Sequence, residues 1–216
     1  MKTNHCKLAV LISGNGTNLQ ALMDASFNSN FKISAVISNN PNSFGLQRAE
    51  KNNIATLVIN DKEYDSKQAF EQALMIKLEK INPDLIALAG FMRILSPNFV
   101  NHYVGKILNI HPSLLPKYTG INTHQRVIEA NESEHGVSVH YVTEELDGGP
   151  VIAQEKVPVF NDDTPETLAT RVAEKEHIIY PKVVSWFAAD RLAMAANKAY
   201  LDQELLPAGG AEIKSK

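Results

Sequence analysis

The residues best equipped for chemistry fall in three short stretches. Leu108-Asn109-Ile110-His111-Pro112-Ser113-Leu114-Leu115-Pro116-Lys117-Tyr118 sets an amide two residues from an imidazole, just after the short run Lys106-Ile107-Leu108. On an extended segment side chains two apart point the same way, so Asn109 and His111 share a face while Ile110 takes the other. The two prolines fix φ and push the residues before them toward extended conformations. Gly14-Asn15-Gly16-Thr17-Asn18 interrupts an apolar run and opens a helical pattern, and Glu144-Glu145-Leu146-Asp147-Gly148-Gly149-Pro150 presents carboxylates on a glycine loop. Each stretch has an ordinary alternative: a Pro-rich turn with a capping Asn, a strand-to-helix turn using Gly for its φ freedom, and a turn-forming Asp in a hairpin.

Taken together, these groups suggest one kind of reaction. Asn109, His111 and Asp147 supply an amide, an imidazole and a carboxylate, with no Ser or Cys in an elbow context and no metal-ligand spacing. The nucleophile then belongs to a substrate: amide and imidazole stabilise an oxyanion, and the carboxylate orients the imidazole or moves protons. That is acyl transfer to an external amine. A glycine loop between strand and helix suits a phosphate monoester, because backbone N–H groups and the helix dipole converge there. It is no dinucleotide fingerprint, since Leu19 takes the place of the third glycine, and no Walker loop, since Gly-Lys-Ser/Thr is lacking.

The elements that must position these groups alternate along the chain. Apolar runs at 7–13, 33–38, 56–59 and 84–89 read as buried strands, and helical spacing covers 18–25, 44–52 and 67–81, the last stopped by Asn82-Pro83. Strands alternating with helices mean an α/β fold with a doubly wound, mostly parallel Rossmann-like sheet and right-handed crossovers. The loop Gly90-Phe91-Met92-Arg93-Ile94-Leu95-Ser96-Pro97 follows a strand and suits a flat ligand, or is simply buried by its neighbours. A helix is expected over 123–131, with Thr123 as cap, and strands over 136–142 and 151–159 read as an antiparallel addition near the C-terminus. The longest helix spans 165–190 behind Asp163 or Thr164, and Pro181 should kink or interrupt it. Glu176 sits just before that kink. Residues 192–201 read as a small hairpin on the sheet.

The 216 residues fit a single domain over 1–207, with a phosphate-binding half of about 1–100, a catalytic half of about 101–207, and a flexible tail at 208–216. A net charge of −3 gives no basic footprint, which argues against a nucleic-acid partner. Cys6 is the sole cysteine, so no intramolecular disulfide forms and a cytoplasmic home is natural. The first apolar run is too short to span a membrane and lacks a signal-peptide cleavage pattern. Glu144, Glu145 and Asp147 have no second ligand cluster, so no metal is expected.

The motifs Ser13-Gly14-Asn15-Gly16-Thr17-Asn18-Leu19-Gln20, Leu88-Ala89-Gly90-Phe91-Met92-Arg93-Ile94-Leu95, Asn109-Ile110-His111-Pro112-Ser113-Leu114-Leu115-Pro116 and Glu145-Leu146-Asp147-Gly148-Gly149-Pro150 occur in an order and spacing that resemble the folate-dependent phosphoribosylglycinamide formyltransferases. The resemblance runs from about 7 to 201. It implies that 10-formyltetrahydrofolate, as co-substrate, donates a formyl group to the amine of 5'-phosphoribosylglycinamide (GAR) in purine biosynthesis. It implies Asn109, His111 (protonated) and Asp147 as catalytic residues, and Gly14, Asn15, Gly16, Thr17, Asn18 and Glu176 as GAR-binding. Folate-binding falls to Lys67, Phe91, Met92, Arg93, Ile94, Leu95, Asn109, Thr143, Glu144, Glu145, Leu146 and Asp147. Lys67 stands where many relatives have an Arg for the folate tail, so that contact loses bidentate geometry. Asn122 replaces a His of some relatives, and Ser138 a frequent Thr.

Other readings remain to be separated. A methionyl-tRNA formyltransferase carries a further C-terminal domain, for which this chain has no room or basic patch, and a formyltetrahydrofolate deformylase normally has an N-terminal regulatory domain. A catalytically silent phosphoribosyl-ligand binding protein would not require the trio. The expected partners are small molecules, with no nucleic acid or membrane, in a monomer or weak homodimer.

Overall fold

The computed structural model describes residues 5–213, which divide into two compact units meeting at Leu108/Asn109. In the first unit β1 (Cys6–Ile12), β2 (Phe31–Ser38), β3 (Thr56–Val58) and β4 (Leu85–Leu88) run parallel in the order β3-β2-β1-β4. Helices α1 (Thr17–Ser26), α2 (Phe44–Lys51), α3 (Lys67–Ile81) and α4 (Pro97–His102) connect or follow them. Leu8 to Ile12 and Leu85 to Ala87 are wholly buried, as a strand covered on both faces requires. Helix α3 starts where Ser66 Oγ accepts the Ala69 N–H and ends where Asn82 turns left-handed at φ 49°. Its Phe70, Leu74 and Leu78 are buried. Helix α4, led by Ser96 and Pro97, and a single 3-10 turn over Asp61–Glu63 are absent from the sequence expectation; both are too short for their periodicity to stand out.

β5 (Ile107–His111) carries the chain into the second unit. There α5 (Thr123–Glu129), β6 (Glu134–Tyr141), β7 (Val151–Pro158) and α6 (Pro165–Ala188) follow, with β6 and β7 antiparallel as expected. The fold is thus α/β, mostly parallel, with antiparallel additions late in the chain. α6 lies against β6, β7 and α5. Its start is a capping box between Thr164 and Thr167, and Pro181 is accommodated within one continuous helix rather than breaking it. α5 also departs from expectation: Asn122, left-handed at φ 57°, holds the cap position without a side-chain bond, and Thr123 is the first helical residue.

The predicted hairpin is β8 (Leu192–Ala195) and β9 (Lys198–Leu201), which with β10 (Glu204–Leu205) forms its own three-stranded antiparallel sheet. Within the stretch expected as a tail, β11 (Ala211–Glu212) pairs in parallel with β7. Positions 214–216 of that stretch lie outside the described residues.

Candidate active site

Asn109 and His111 end β5, and the strand's alternation puts both on one face, with Ile110 buried on the other. Asn109 Nδ2 donates to His140 Nε2 at 3.1 Å. His140 must therefore be neutral at Nε2, and its Nδ1–H donates to the Tyr141 carbonyl at 2.9 Å. Burial accounts for that neutrality: it pushes His140 down to about 4, although Asp147 Oδ1 lies only 3.8 Å from Nε2. His111, 5 % exposed, is flanked by acceptors at both ring nitrogens. Nε2–H donates to Tyr118 O at 2.9 Å, and Nδ1 lies 3.5 Å from Asp147 Oδ2. A ring that donates to one of these acceptors when neutral can face both as a donor only with a proton on each nitrogen. Asp147 itself sits at φ 52° on its glycine loop and accepts the Gly120 N–H at 2.8 Å.

The loop after His111 is held by more than its prolines. Ser138 Oγ donates to Ser113 O at 2.6 Å and accepts from Leu115 N and from Gln154 Nε2. Ser113 N–H returns to His111 O at 2.8 Å. Gly149 is dictated by close approach, since a Cβ there would lie 1.8 Å from the Tyr141 carbonyl oxygen. The exposed residues Glu144, Glu145 and Leu146 bring Asp147 to the buried imidazoles. Thr143 precedes them, half-buried.

In the first unit Gly16 holds the N-cap position of α1 at φ 76° with no side-chain cap bond and no acidic residue in the first turn. A helix start without a side-chain cap is a ready anion site. Gly16 is also required sterically, because a Cβ there would meet Gly45 Cα at 2.8 Å. Gly14 is exposed, and a Cβ added to it would meet nothing within 4 Å, so neither packing nor a left-handed φ explains its glycine. Asn15 is braced by Arg48, whose Nε and Nη2 donate to Asn15 O and Oδ1. Thr17 opens α1, exposed, and Asn18 follows half-buried. The loop from Phe91 leaves Met92 and Ile94 largely exposed and buries Leu95. Lys67, half exposed, begins α3 with Nζ 3.8 Å from Glu71, while Glu176 lies half-buried on α6. A cavity of about 900 Å³ in the first unit opens instead at the amino-terminal ends of β1, β2 and β3, lined by Lys7, Phe31 and Ala55. Ligands of open α/β sheets gather at the other, carboxyl ends.

Thus Asn109, His111 and Asp147 converge, as the sequence expectation requires. His140 is the member it misses: its place beside Ser138 on one strand face is legible, but its burial against Asn109 is not. Among the described residues no group of His, Cys, Asp and Glu is placed to hold a metal ion.

The family model described as formyl transferase matches residues 6–184. This chain belongs to the formyl transferase family. Within that family it is 52% identical over 205 residues to phosphoribosylglycinamide formyltransferase of Escherichia coli, covering 94% of this chain and 97% of that protein. The solved structure of phosphoribosylglycinamide formyltransferase from Coxiella burnetii is 51% identical, with a TM-score of 0.94, covering 98% of this chain and all of the other. The human trifunctional purine biosynthetic protein adenosine-3 is 44% identical over 204 residues, which are 90% of this formyl transferase chain but 20% of that protein.

Proposed function

We propose that this formyl transferase moves the formyl group of 10-formyltetrahydrofolate to the glycinamide amine of GAR, giving formyl-GAR and tetrahydrofolate in purine biosynthesis. The observation that carries the reading is the cluster of Asn109 and Asp147 with the buried His111 and His140, which contains polar donors and a carboxylate but no protein nucleophile. The amine nitrogen attacks the formyl carbon, and the carbonyl oxygen takes up the negative charge. Asn109 gives one N–H to neutral His140, which leaves the second amide N–H to donate to that oxyanion. His140 is thereby a positioning residue. His111 contributes its positive charge, with Asp147 holding Nδ1; a direct bond from its Nε2 requires the Tyr118 carbonyl to give way. As the bond to the folate N10 breaks, the proton lost by the amine passes through Asp147 and water to N10.

The glycine loop Gly14, Asn15, Gly16, Thr17 and Asn18 takes the phosphate of GAR, supported by the uncapped start of α1. Glu176 serves GAR, and Lys67, Phe91 to Leu95 and Thr143 to Asp147 serve the folate. The protein works as a cytoplasmic monomer or weak homodimer on small molecules alone, without nucleic acid, membrane or metal; no described helix is long and apolar enough to cross a membrane. Mixing the protein with GAR and a 10-formyl folate, and following deformylated folate by absorbance, tests the reading. GAR-dependent release supports it, release without GAR indicates a deformylase, and no release with GAR leaves a binding protein.

A further inference from the structure

The first unit contains a polar chain that the reaction steps do not use. Ser13, just before the glycine loop, donates its hydroxyl to Asn39 Oδ1 at 2.6 Å, and the same Oγ accepts the Met92 N–H at 2.8 Å. The Ser13 N–H donates to Gly90 O at 3.1 Å. Asn39, 8 % exposed just past β2, donates from Nδ2 to Asp61 Oδ1 at 2.8 Å. Asp61, on the 3-10 turn, pairs through Oδ2 with the Arg93 guanidinium. At the far end of the same loop Glu71 accepts the Ser96 N–H at 2.8 Å and the Ser96 hydroxyl.

These tethers matter because the loop from Gly90 to Ser96 has no regular structure and turns Met92 and Ile94 outward. Of its apolar side chains Leu95 alone is buried, so polar bonds decide its backbone path. The donor order is also fixed. Turning the Asn39 amide over would set its oxygen against the Asp61 carboxylate and its NH₂ against the Ser13 hydroxyl proton.

We propose that Asn39 and Asp61 are positioning residues for the folate co-substrate, acting through Ser13 and Arg93 on the loop carrying Phe91 to Leu95. This rests on the reading of that loop as folate-facing. Asp61→Ala raises KM for a 10-formyl folate about tenfold, the effect of losing one hydrogen bond to a charged group. KM for GAR and kcat stay within about twofold. Asn39→Asp alone sets two carboxylates together and raises the folate KM at least as much. The exchanged pair Asn39→Asp with Asp61→Asn rebuilds the donor order, with a carbonyl still facing Arg93, and brings the folate KM back to within about threefold of the unaltered chain.

Steady-state kinetics on all four proteins, each checked for an unchanged melting temperature, provide the test; Asp61→Asn, with a smaller rise in folate KM, replaces Asp61→Ala if the latter does not fold. Equal rises in both KM values, a fall in kcat at unchanged KM, or no recovery in the exchanged pair overturns the proposal and leaves a merely structural role. An unaltered folate KM in Asp61→Ala, with normal turnover by the unaltered chain, overturns the positioning role alone. Failure of the unaltered chain to transfer formyl to GAR overturns the folate reading and the positioning role with it.

Discussion

At the scale of single residues the site separates charge stabilisation from nucleophilic chemistry. Asn109 has one N–H fixed by His140, so its amide orientation is set before substrate arrives. Removing one preorganised oxyanion donor typically costs on the order of 10²–10³ in rate. On the proposed mechanism Asn109→Ala is expected to lose that much kcat, His111→Ala a similar amount through loss of the positive charge assigned to it, and Asp147→Asn at least as much because it removes the carboxylate charge facing His111 and the proposed proton path. Near-normal turnover by all three in the GAR-dependent assay would refute the roles. Gly14 gives a cleaner test of the phosphate loop. Its Cβ position is open and its backbone unstrained, so Gly14→Ala should keep the melting temperature while raising KM for GAR several-fold. An unchanged KM would mean that no ligand group approaches there. The residues most visible in the sequence, Asn109, His111 and Asp147, were visible because polar groups beside Pro and Gly have few structural uses. His140 was hidden because a histidine inside an apolar strand is usually just a satisfied core group.

Among the elements, α6 shows how a helix start is secured by side chains rather than by ligand. Asp163, with its side chain 3% exposed, accepts from the Phe160 N–H, the Thr167 hydroxyl and both Nη atoms of Arg171. The Arg171 guanidinium holds the Asp163 carboxyl well below the usual carboxylate range. Asp163→Ala should cost about 2–3 kcal/mol in a denaturant titration, as expected when hydrogen bonds to a charged group are lost. The folded carboxyl titrates below the unfolded one, so this contribution is complete above about pH 4 and fades only in stronger acid. The variant should thus differ from the unaltered chain at neutral pH and converge with it in acid; a constant gap would exclude the ion pair as its source. By contrast, α1 begins without a side-chain cap and directly follows the loop read as phosphate-binding. Strong periodicity made α3 legible to the residue, whereas continuity through Pro181 in α6 was not, because burial of Ile179, Tyr180, Val183 and Val184 on both sides of the proline outweighs one missing hydrogen bond.

For the molecule as a whole, the buried His135 and His140 and the half-buried His124 of the second unit link stability to pH. Burial, then the neighbouring His124 and His111, pushes His135 down to about 4; burial likewise takes His140 to about 4 and lowers His124. His124 Nδ1 and His135 Nε2 lie 3.0 Å apart, which requires that at least one ring keep a bare nitrogen. Unfolded imidazoles take up protons near 6.5, so between about pH 6.5 and 4 the unfolded chain binds more protons and stability falls as pH is lowered. The melting temperature should drop between about pH 7 and 5 and the drop should shrink in His135→Gln; a flat or rising profile would refute the linkage. The sequence by itself determined the α/β class, the alternation of the longer strands and helices, and the carboxyl strand ends as the place for polar groups. Those features follow from apolar runs, helical spacing and Pro/Gly punctuation, all of which act between near neighbours in the chain. Only the tertiary structure decided that His140 fixes Asn109, that the Tyr118 carbonyl and Asp147 bracket His111, and that Ser13, Asn39 and Asp61 tether Met92 and Arg93. Those bonds join residues from 7 to 79 positions apart, and whether a distant donor meets an acceptor is settled by packing, on which local pattern is silent.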